Sequence, residues 1–177
     1  PGAGTSNLTP AGSDDIYISK LDSSGNFVWA KVIGAGGQDK GVSINVDSNN
    51  YVYVTGTFQN GPVDFEPGAG TSNLTAGSVD GFILKLDSSG DFVWVKHLQG
   101  NSGEVNPKST KIDSSGNIYT TGDFRYIADF DPGAGTTNLN TGGDVYDTFI
   151  LKLNSSGDFV FVKQIIGVEY NSSYYIN

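Results

Sequence analysis

Cysteine is absent from this sequence of 177 residues, and its absence excludes several kinds of chemistry at once. Disulfide frameworks, zinc–thiolate sites and cysteine nucleophiles all need thiols. Histidine is nearly absent as well, because His97 is the only one, so a nucleophilic triad would have a single candidate base. No apolar run approaches the roughly 20 residues of a transmembrane helix, so we expect no membrane insertion.

Positive charge is also scarce. The chain has 10 Lys and Arg against 19 Asp and Glu, which gives a formal net charge of −9. Nucleic-acid phosphates attract clusters of Lys and Arg, so nucleic acid is not an expected partner. Met is absent, whereas Gly occurs 25 times. This composition is typical of short strands joined by tight turns, with an acidic surface that keeps a secreted protein in solution.

What the sequence does contain is a repeated unit. The phrase PGAGT occurs three times, beginning at Pro1, Pro67 and Pro132. The segment LDSSGNFVWAK also returns twice with few changes. Such a period indicates one supersecondary unit stacked on copies of itself. We assign units to residues 1–66, 67–131 and 132–177, the last of them partial, which makes about 2.7 repeats.

Each unit carries two hairpin signals. The runs FILKL and FVWVK flank Asp87-Ser88-Ser89-Gly90, where Asp and Ser accept hydrogen bonds from turn amides and Gly supplies a positive φ. A second hairpin turns at residues 47–50, and Asn50 stands where the later copy has Gly116. Asn is the residue that best replaces Gly in the left-handed region. We therefore predict four strands per unit, as two hairpins joined by the longer PGAGT loop.

The strands are apolar on both sides, since Phe82, Leu84 and Leu86 oppose Ile83. This pattern predicts sheets that are covered on both faces. Four-stranded antiparallel sheets repeated in this way are the blades of a β-propeller, whereas a β-solenoid would use shorter rungs of about 20–30 residues. A ring needs about 4–8 blades, so we expect an all-β chain that is part of a larger propeller.

The repeated aromatic residues of the FVW strand are expected to form blade-to-blade core. Trp29 and Trp94 lie within a strand of the repeating unit, with Phe161 at the third position. A stacking platform for carbohydrate is the alternative role for such rings, but their place in a repeated strand favours burial. We therefore predict that both indoles are mostly buried between adjacent sheets.

Repeated acids precede the Pro-Gly of the PGAGT phrase. They place carboxylates at alternate positions, which share one side of an extended chain, and calcium binds six to eight oxygen ligands from such loops. The candidate calcium ligands are Asp64, Glu66, Asp129 and Asp131. The alternative is that the first Asp of each pair accepts hydrogen bonds from turn amides while Pro stiffens the crossover.

His97 lies outside the repeated pattern, because its aligned positions are Val32 and Gln164. A residue that the repeat does not preserve is better explained by a structural role than by catalysis. With no cysteine and no second histidine, we predict no catalytic residue and no enzyme activity.

The assembled motif DFxPGAGTxNLTxxGxxDxFIxKLDSSGxFVWxK resembles the bacterial β-propeller repeats called SBBP repeats, and the resemblance covers essentially the whole chain. Asp64-Phe65, Asp80, Phe82-Ile83, Lys85-Leu86-Asp87 and Phe92-Val93-Trp94 carry it. It implies an extracellular or cell-surface bacterial protein without established catalytic residues. The expected partners are further blades of the same longer chain, or neighbouring copies.

The resulting functional expectation is a structural or adhesion module that binds a partner protein or glycan through its loops. Two alternatives remain open, a lectin-like carbohydrate-binding propeller and the non-catalytic part of a secreted enzyme.

Overall fold

The computed structural model describes residues 7–167, and this part of the chain consists of strands and turns without a helix. None of its elements is therefore a helix long and apolar enough to cross a membrane. The first PGAGT phrase, at Pro1, lies outside the described residues. The strands are β1 (Ile16–Leu21), β2 (Phe27–Ile33), β3 (Lys40–Val46), β4 (Val52–Asp64), β5 (Asn73–Leu86), β6 (Phe92–Gly100), β7 (Glu104–Ile112), β8 (Ile118–Arg125), β9 (Ile127–Asp129), β10 (Asn138–Asn140), β11 (Tyr146–Leu153) and β12 (Phe159–Ile165).

Within residues 7–167 the strands form two complete antiparallel blades and half of another. The first blade contains β3, β4, β5 and β6 in that order. The second contains β7, β8, β11 and β12. β1 and β2 form a separate pair that corresponds to the outer two strands of a blade. The predicted all-β chain of propeller blades is confirmed.

Blades and sequence periods are out of phase. The periods 1–66, 67–131 and 132–177 are defined by sequence, and each blade takes its first two strands from one period and its last two from the next. Neighbouring blades are also joined by one parallel bridge, Val79 with Glu104. Its counterpart earlier in the chain joins Asp14 to Gln38. The repeat thus fixes the link between blades as well as the blades themselves.

The hairpin turns have the predicted geometry. In the β5–β6 turn, one carboxylate oxygen of Asp87 accepts hydrogen bonds from the amides of Ser89 and Asp91 at 2.8 and 3.0 Å. Gly90 then closes the turn with a φ of 81°. At the β3–β4 turn Asn50 takes a φ of 64°, as expected from its alignment with a glycine.

The part of β5 that spans residues 80–86 is buried on both faces of the first blade, which confirms the prediction from its alternating pattern. Phe82, Leu84 and Leu86 pack in a cluster with the isoleucines of β1 and β2. Ile83 and Tyr53 point to the opposite side and pack with the second blade. Successive side chains of a strand leave opposite faces, so a strand buried on both sides is apolar throughout.

The two described PGAGT loops, which begin at Pro67 and Pro132, each cap an extension of a blade. β4 and β5 continue past the four-stranded region, where residues 61–64 pair with 73–76, and the short strands β9 and β10 repeat this feature in the second blade. Behind the loop, Phe65 is fully buried and contacts Phe58 at a centroid distance of 5.2 Å. Phe130 and Phe124 repeat the contact at 5.4 Å. The loops are therefore anchored by a buried aromatic ring.

Candidate functional site

The hairpin tips form the contact between successive repeats. The indole nitrogen of Trp29 donates to the carbonyl of Ser88 at 3.2 Å. The ring covers Gly90, where an added Cβ would lie 2.9 Å from Trp29 Cδ2. Trp94 covers the next tip, at Gly157, in the same way. Both rings thus lie between blades and are mostly buried, as predicted, while each keeps part of its surface exposed.

The single histidine has a structural contact that the next repeat reproduces. His97 Nε2 lies 2.7 Å from a carboxylate oxygen of Asp80, whose side chain is fully buried. In the following repeat Gln164 donates to Asp147 at 2.6 Å. A glutamine amide cannot act as an acid or base, so the shared feature is a hydrogen bond to a buried carboxylate. This finding supports the structural role predicted for His97.

The repeated acids hold their own loops together. Asp64 accepts hydrogen bonds from the amides of Glu66 and Ser72 at 3.0 and 2.8 Å. Asp129 makes the same pair of contacts, with Asp131 and Thr137, at 3.0 and 2.8 Å. These contacts match the turn-capping role of the first acid in each pair.

The second acids, Glu66 and Asp131, lie against the glycine that follows, since a Cβ on Gly70 or Gly135 would collide with their carboxylates. Among the described residues, no group of three or more Asp, Glu or His side chains is arranged to hold a metal ion. Calcium binding at Asp64, Glu66, Asp129 and Asp131 stays a prediction.

One polar cluster was not anticipated from the sequence. Arg125 bridges Glu104 at 2.6 Å and Asp144 at 2.8 Å, and the hydroxyl of Tyr146 donates to Glu104 at 2.7 Å. Burial and the hydrogen bond to Glu104 raise the pKa of Tyr146 to about 12. Glu104, Arg125 and Tyr146 lie on three adjacent strands of the second blade, and Asp144 lies just before β11, so the cluster fixes the ends of these strands. Its members are far apart in sequence, and only the strand pairing brings them together.

The first blade has one open face, along β3, that no other described strand covers. Val42, Ile44 and Val46 alternate along β3 and are all exposed, Ile44 by 57%. Thr110 occupies the position of Ile44 in the second blade and is only 1% exposed, because β3 and β4 cover it. The same position is therefore buried where a preceding blade is complete and exposed where that blade is only half present.

A cavity marks the place of the strands that would cover this face. It has a volume of about 280 Å³ and lies between β1 and β3, lined by Tyr17, Ile18, Val42, Ile44 and Val54 among others. Within the described residues β1 pairs with β2 alone, whereas the equivalent strands β5 and β11 each pair on both edges. The open face thus combines exposed apolar side chains with an unpaired strand edge, and both features favour association with another strand.

No protein-family model matches the chain. Two relatives were found. An uncharacterized WD repeat-containing protein of Acanthamoeba polyphaga mimivirus is 31% identical over 174 residues, which cover 91% of this chain and 12% of that protein. The regulatory protein FlaEY of Caulobacter vibrioides is 28% identical over 135 residues, which cover 76% of this chain and 14% of that protein.

The chain thus spans about an eighth of the length of the relatives it matches. Its stacked blades and its similarity to a WD repeat-containing protein agree on a propeller-type repeat protein. Neither relative's name describes an enzyme, which is consistent with a non-catalytic role.

Proposed function

We propose that this chain is a non-catalytic segment of a larger β-propeller of the SBBP type, displayed outside a bacterial cell. Further repeats cover its open face, and the exposed loops of the completed propeller bind a partner protein or glycan. The observation that carries this proposal is the difference between Ile44 and Thr110, which occupy the same position in two consecutive blades. What covers Thr110 is a preceding blade, so the same element suits the position of Ile44.

The apolar residues of the open face are suited to packing against a preceding blade. β3 presents Val42 and Ile44 to the uncovered side, next to the β1 edge. In both relatives the matched segment is a small part of a much longer protein, so further repeats in one chain are the simplest source of the missing strands. Three copies of about 2.7 repeats would instead close a ring of about eight blades, within the 4–8 typical of propellers.

A binding role rather than catalysis is supported by the chemistry of the described residues. The one histidine is held by a buried aspartate, as Gln164 is in the next repeat. Display outside the cell is supported by the resemblance to SBBP repeats and by the net charge of −9, which suits a solvated surface.

Light scattering of the 177-residue chain tests the open face. We expect self-association that increases with concentration, because exposed apolar strips and strand edges favour it. The double variant Val42→Lys and Ile44→Thr copies Lys108 and Thr110 of the second blade, and it should shift the chain towards the monomer.

The matched control is Val28→Thr. Val28 is 48% exposed, and its counterpart Val93 is still 40% exposed in the complete first blade, so covering the open face would not bury this position. Val28→Thr should leave the association unchanged. A chain that is monomeric at every concentration, or a double variant that associates as strongly as the original, would contradict the proposal.

A further inference from the structure

A second cavity, which we call the tip cleft, lies between the two complete blades. It has a volume of about 260 Å³ and is formed by the hairpin tips of β3–β4, β7–β8 and β11–β12 together with the side of β4 and β5. Its lining includes Asp47, Ser48, Tyr51, Lys85, Ser114 and Ser155. The cavity is somewhat smaller than sites for drug-sized ligands, which are typically about 300–1,000 Å³, and it matches a ligand of one ring.

Lys85 lines the cleft with a largely buried side chain whose ammonium has unused donors. The residue is only 9% exposed, and its ammonium lies 4.2 Å from the ring centroid of Tyr51 and 5.0 Å from that of Tyr53. Burial lowers the pKa of Lys85, while the charge of Asp47 opposes this effect. Among the described residues no oxygen accepts a hydrogen bond from its Nζ, although an ammonium has three N–H donors.

The equivalent lysine of the preceding repeat behaves differently. Lys20 donates to the carbonyl oxygen of Ser88, at the tip of the next hairpin, at 2.7 Å. Lys85 stands at the same place in its own repeat, and Ser155 of the next tip lines the same cleft, yet the lysine lies over the tyrosine rings instead. The cleft therefore contains a donor that its own walls do not engage, and a ligand in the cleft can accept its hydrogen bonds.

The carboxylates of the cleft are already engaged by the turns that carry them. Asp47 accepts hydrogen bonds from the amides of Asn49 and Tyr51 and from the hydroxyl of Tyr53, at 2.8, 3.0 and 3.1 Å. Asp113, on the opposite tip, is held in the same way by its own turn, which lowers its pKa. With two fixed negative charges beside one lysine, the cleft is poorly suited to a phosphate or another multiply charged anion.

The remaining polar side chains of the lining are short and uncharged, namely Ser48, Asn49, Ser114, Ser115 and Ser155. We infer that the tip cleft binds a single sugar residue of a glycan, with the Lys85 ammonium donating to a sugar oxygen and the serine hydroxyls bonding to the ring's hydroxyl groups. A sugar offers many oxygens without a high charge, and its C–H faces suit the tyrosine wall. The inference deepens the glycan-binding part of the proposed function and rests on it.

Fluorescence titration in a single-tryptophan background tests this site. Trp29→Phe leaves Trp94, which lies 5.9 Å from the Lys85 ammonium, as the only tryptophan, and Phe161 already occupies the equivalent place in the next repeat. The probes are glucose, galactose, N-acetylglucosamine and glucuronate. We expect at least one to saturate the signal with a Kd of about 1–10 mM, the range of a few weak hydrogen bonds.

Lys85→Met keeps the apolar stem and removes the donor, so binding should weaken at least tenfold. Ser114→Phe, at an exposed tip position, should block entry to the cleft without changing Lys85. The matched control is Lys152→Met, because Lys152 lies 5.0 Å from the ring of Tyr119 in the next repeat, where no following tip among the described residues completes a cleft. This control should bind as the background does.

The site is refuted if none of the four sugars changes the signal up to about 100 mM, which corresponds to negligible affinity. It is also refuted if Lys85→Met or Ser114→Phe binds as well as the background. Light scattering of the same variants keeps the two proposals apart. If sugar binding is lost while self-association is unchanged, only the sugar site of the tip cleft is refuted. If self-association is lost while sugar binding is intact, only the proposal for the open face is refuted.

Discussion

The variants Gly90→Ala and Gly25→Ala should together separate the backbone strain of a hairpin turn from the packing between two repeats. Gly90 has a φ of 81° and lies beneath the indole of Trp29, where an added Cβ would be 2.9 Å from Cδ2 and 3.0 Å from Cε2. Gly25 occupies the same turn position in the preceding repeat, with a φ of 78° and no atom within 4 Å of such a Cβ. Gly25→Ala is therefore a control with the same backbone and no neighbour.

The expected magnitudes follow from these two environments. Left-handed backbone at a residue with a Cβ costs about 1–2 kcal/mol, and both variants pay this strain. Contact distances below 3.0 Å are well inside the usual 3.5–4.0 Å between carbon atoms, so Gly90→Ala must also displace the indole. Overpacking of this kind destabilises by about 1–3 kcal/mol. We expect losses of about 1–2 kcal/mol for Gly25→Ala and about 2–5 kcal/mol for Gly90→Ala.

Urea unfolding followed by circular dichroism measures both free energies of unfolding, and tryptophan fluorescence reports the displacement of Trp29. Gly90→Ala should change the fluorescence of the folded protein, whereas Gly25→Ala should not. Equal losses of stability for the two variants would refute the packing of Trp29 on the neighbouring tip, and so would an unchanged fluorescence spectrum for Gly90→Ala.

Two further predictions concern the polar contacts of the blades. His97→Ala should lower the free energy of unfolding by about 1.5–3 kcal/mol, because it removes a hydrogen bond from the buried Asp80. His97→Gln can keep a hydrogen bond and should lower this free energy by less than about 1 kcal/mol. Equal losses for the two variants in urea unfolding would contradict the structural role. The pKa of Tyr146 in the folded chain, about 12, exceeds the ordinary value of 10, so its stabilising contribution is complete below pH 10 and is lost as the pH rises towards 12. Urea unfolding across this range should show a shallower loss for Tyr146→Phe, and parallel curves would refute the contact with Glu104.

Local signals in the sequence predicted the turns and the faces of the strands. The Asp-Ser-Ser-Gly turns and the left-handed conformation of Asn50 depend on residues within one turn, so the neighbouring residues are sufficient to predict them. The double-sided burial of Ile83 and Phe82 follows from the alternation of a strand in the same way. The burial of most of Trp29 and Trp94 between blades was predicted as well, because both rings lie within a strand of the repeating unit.

The polar contacts depend on the pairing of strands from different repeats, and the sequence of a single repeat does not show this pairing. Arg125 meets Glu104 and Asp144 only because three strands are adjacent in the second blade. One of these contacts did leave a signal. Asp80 and His97 are 17 residues apart, as are Asp147 and Gln164, so a comparison of repeats for paired polar positions would have found the bond to the buried carboxylate.

The offset between blades and sequence periods affects how such an array can lengthen. Each period supplies the outer two strands of one sheet and the inner two of the next. A duplication or deletion of one whole period in the gene therefore adds or removes a blade while every internal sheet keeps four strands. A single period that accumulates substitutions affects two sheets, because the strands of its two halves pair with strands of the preceding period and of the following period.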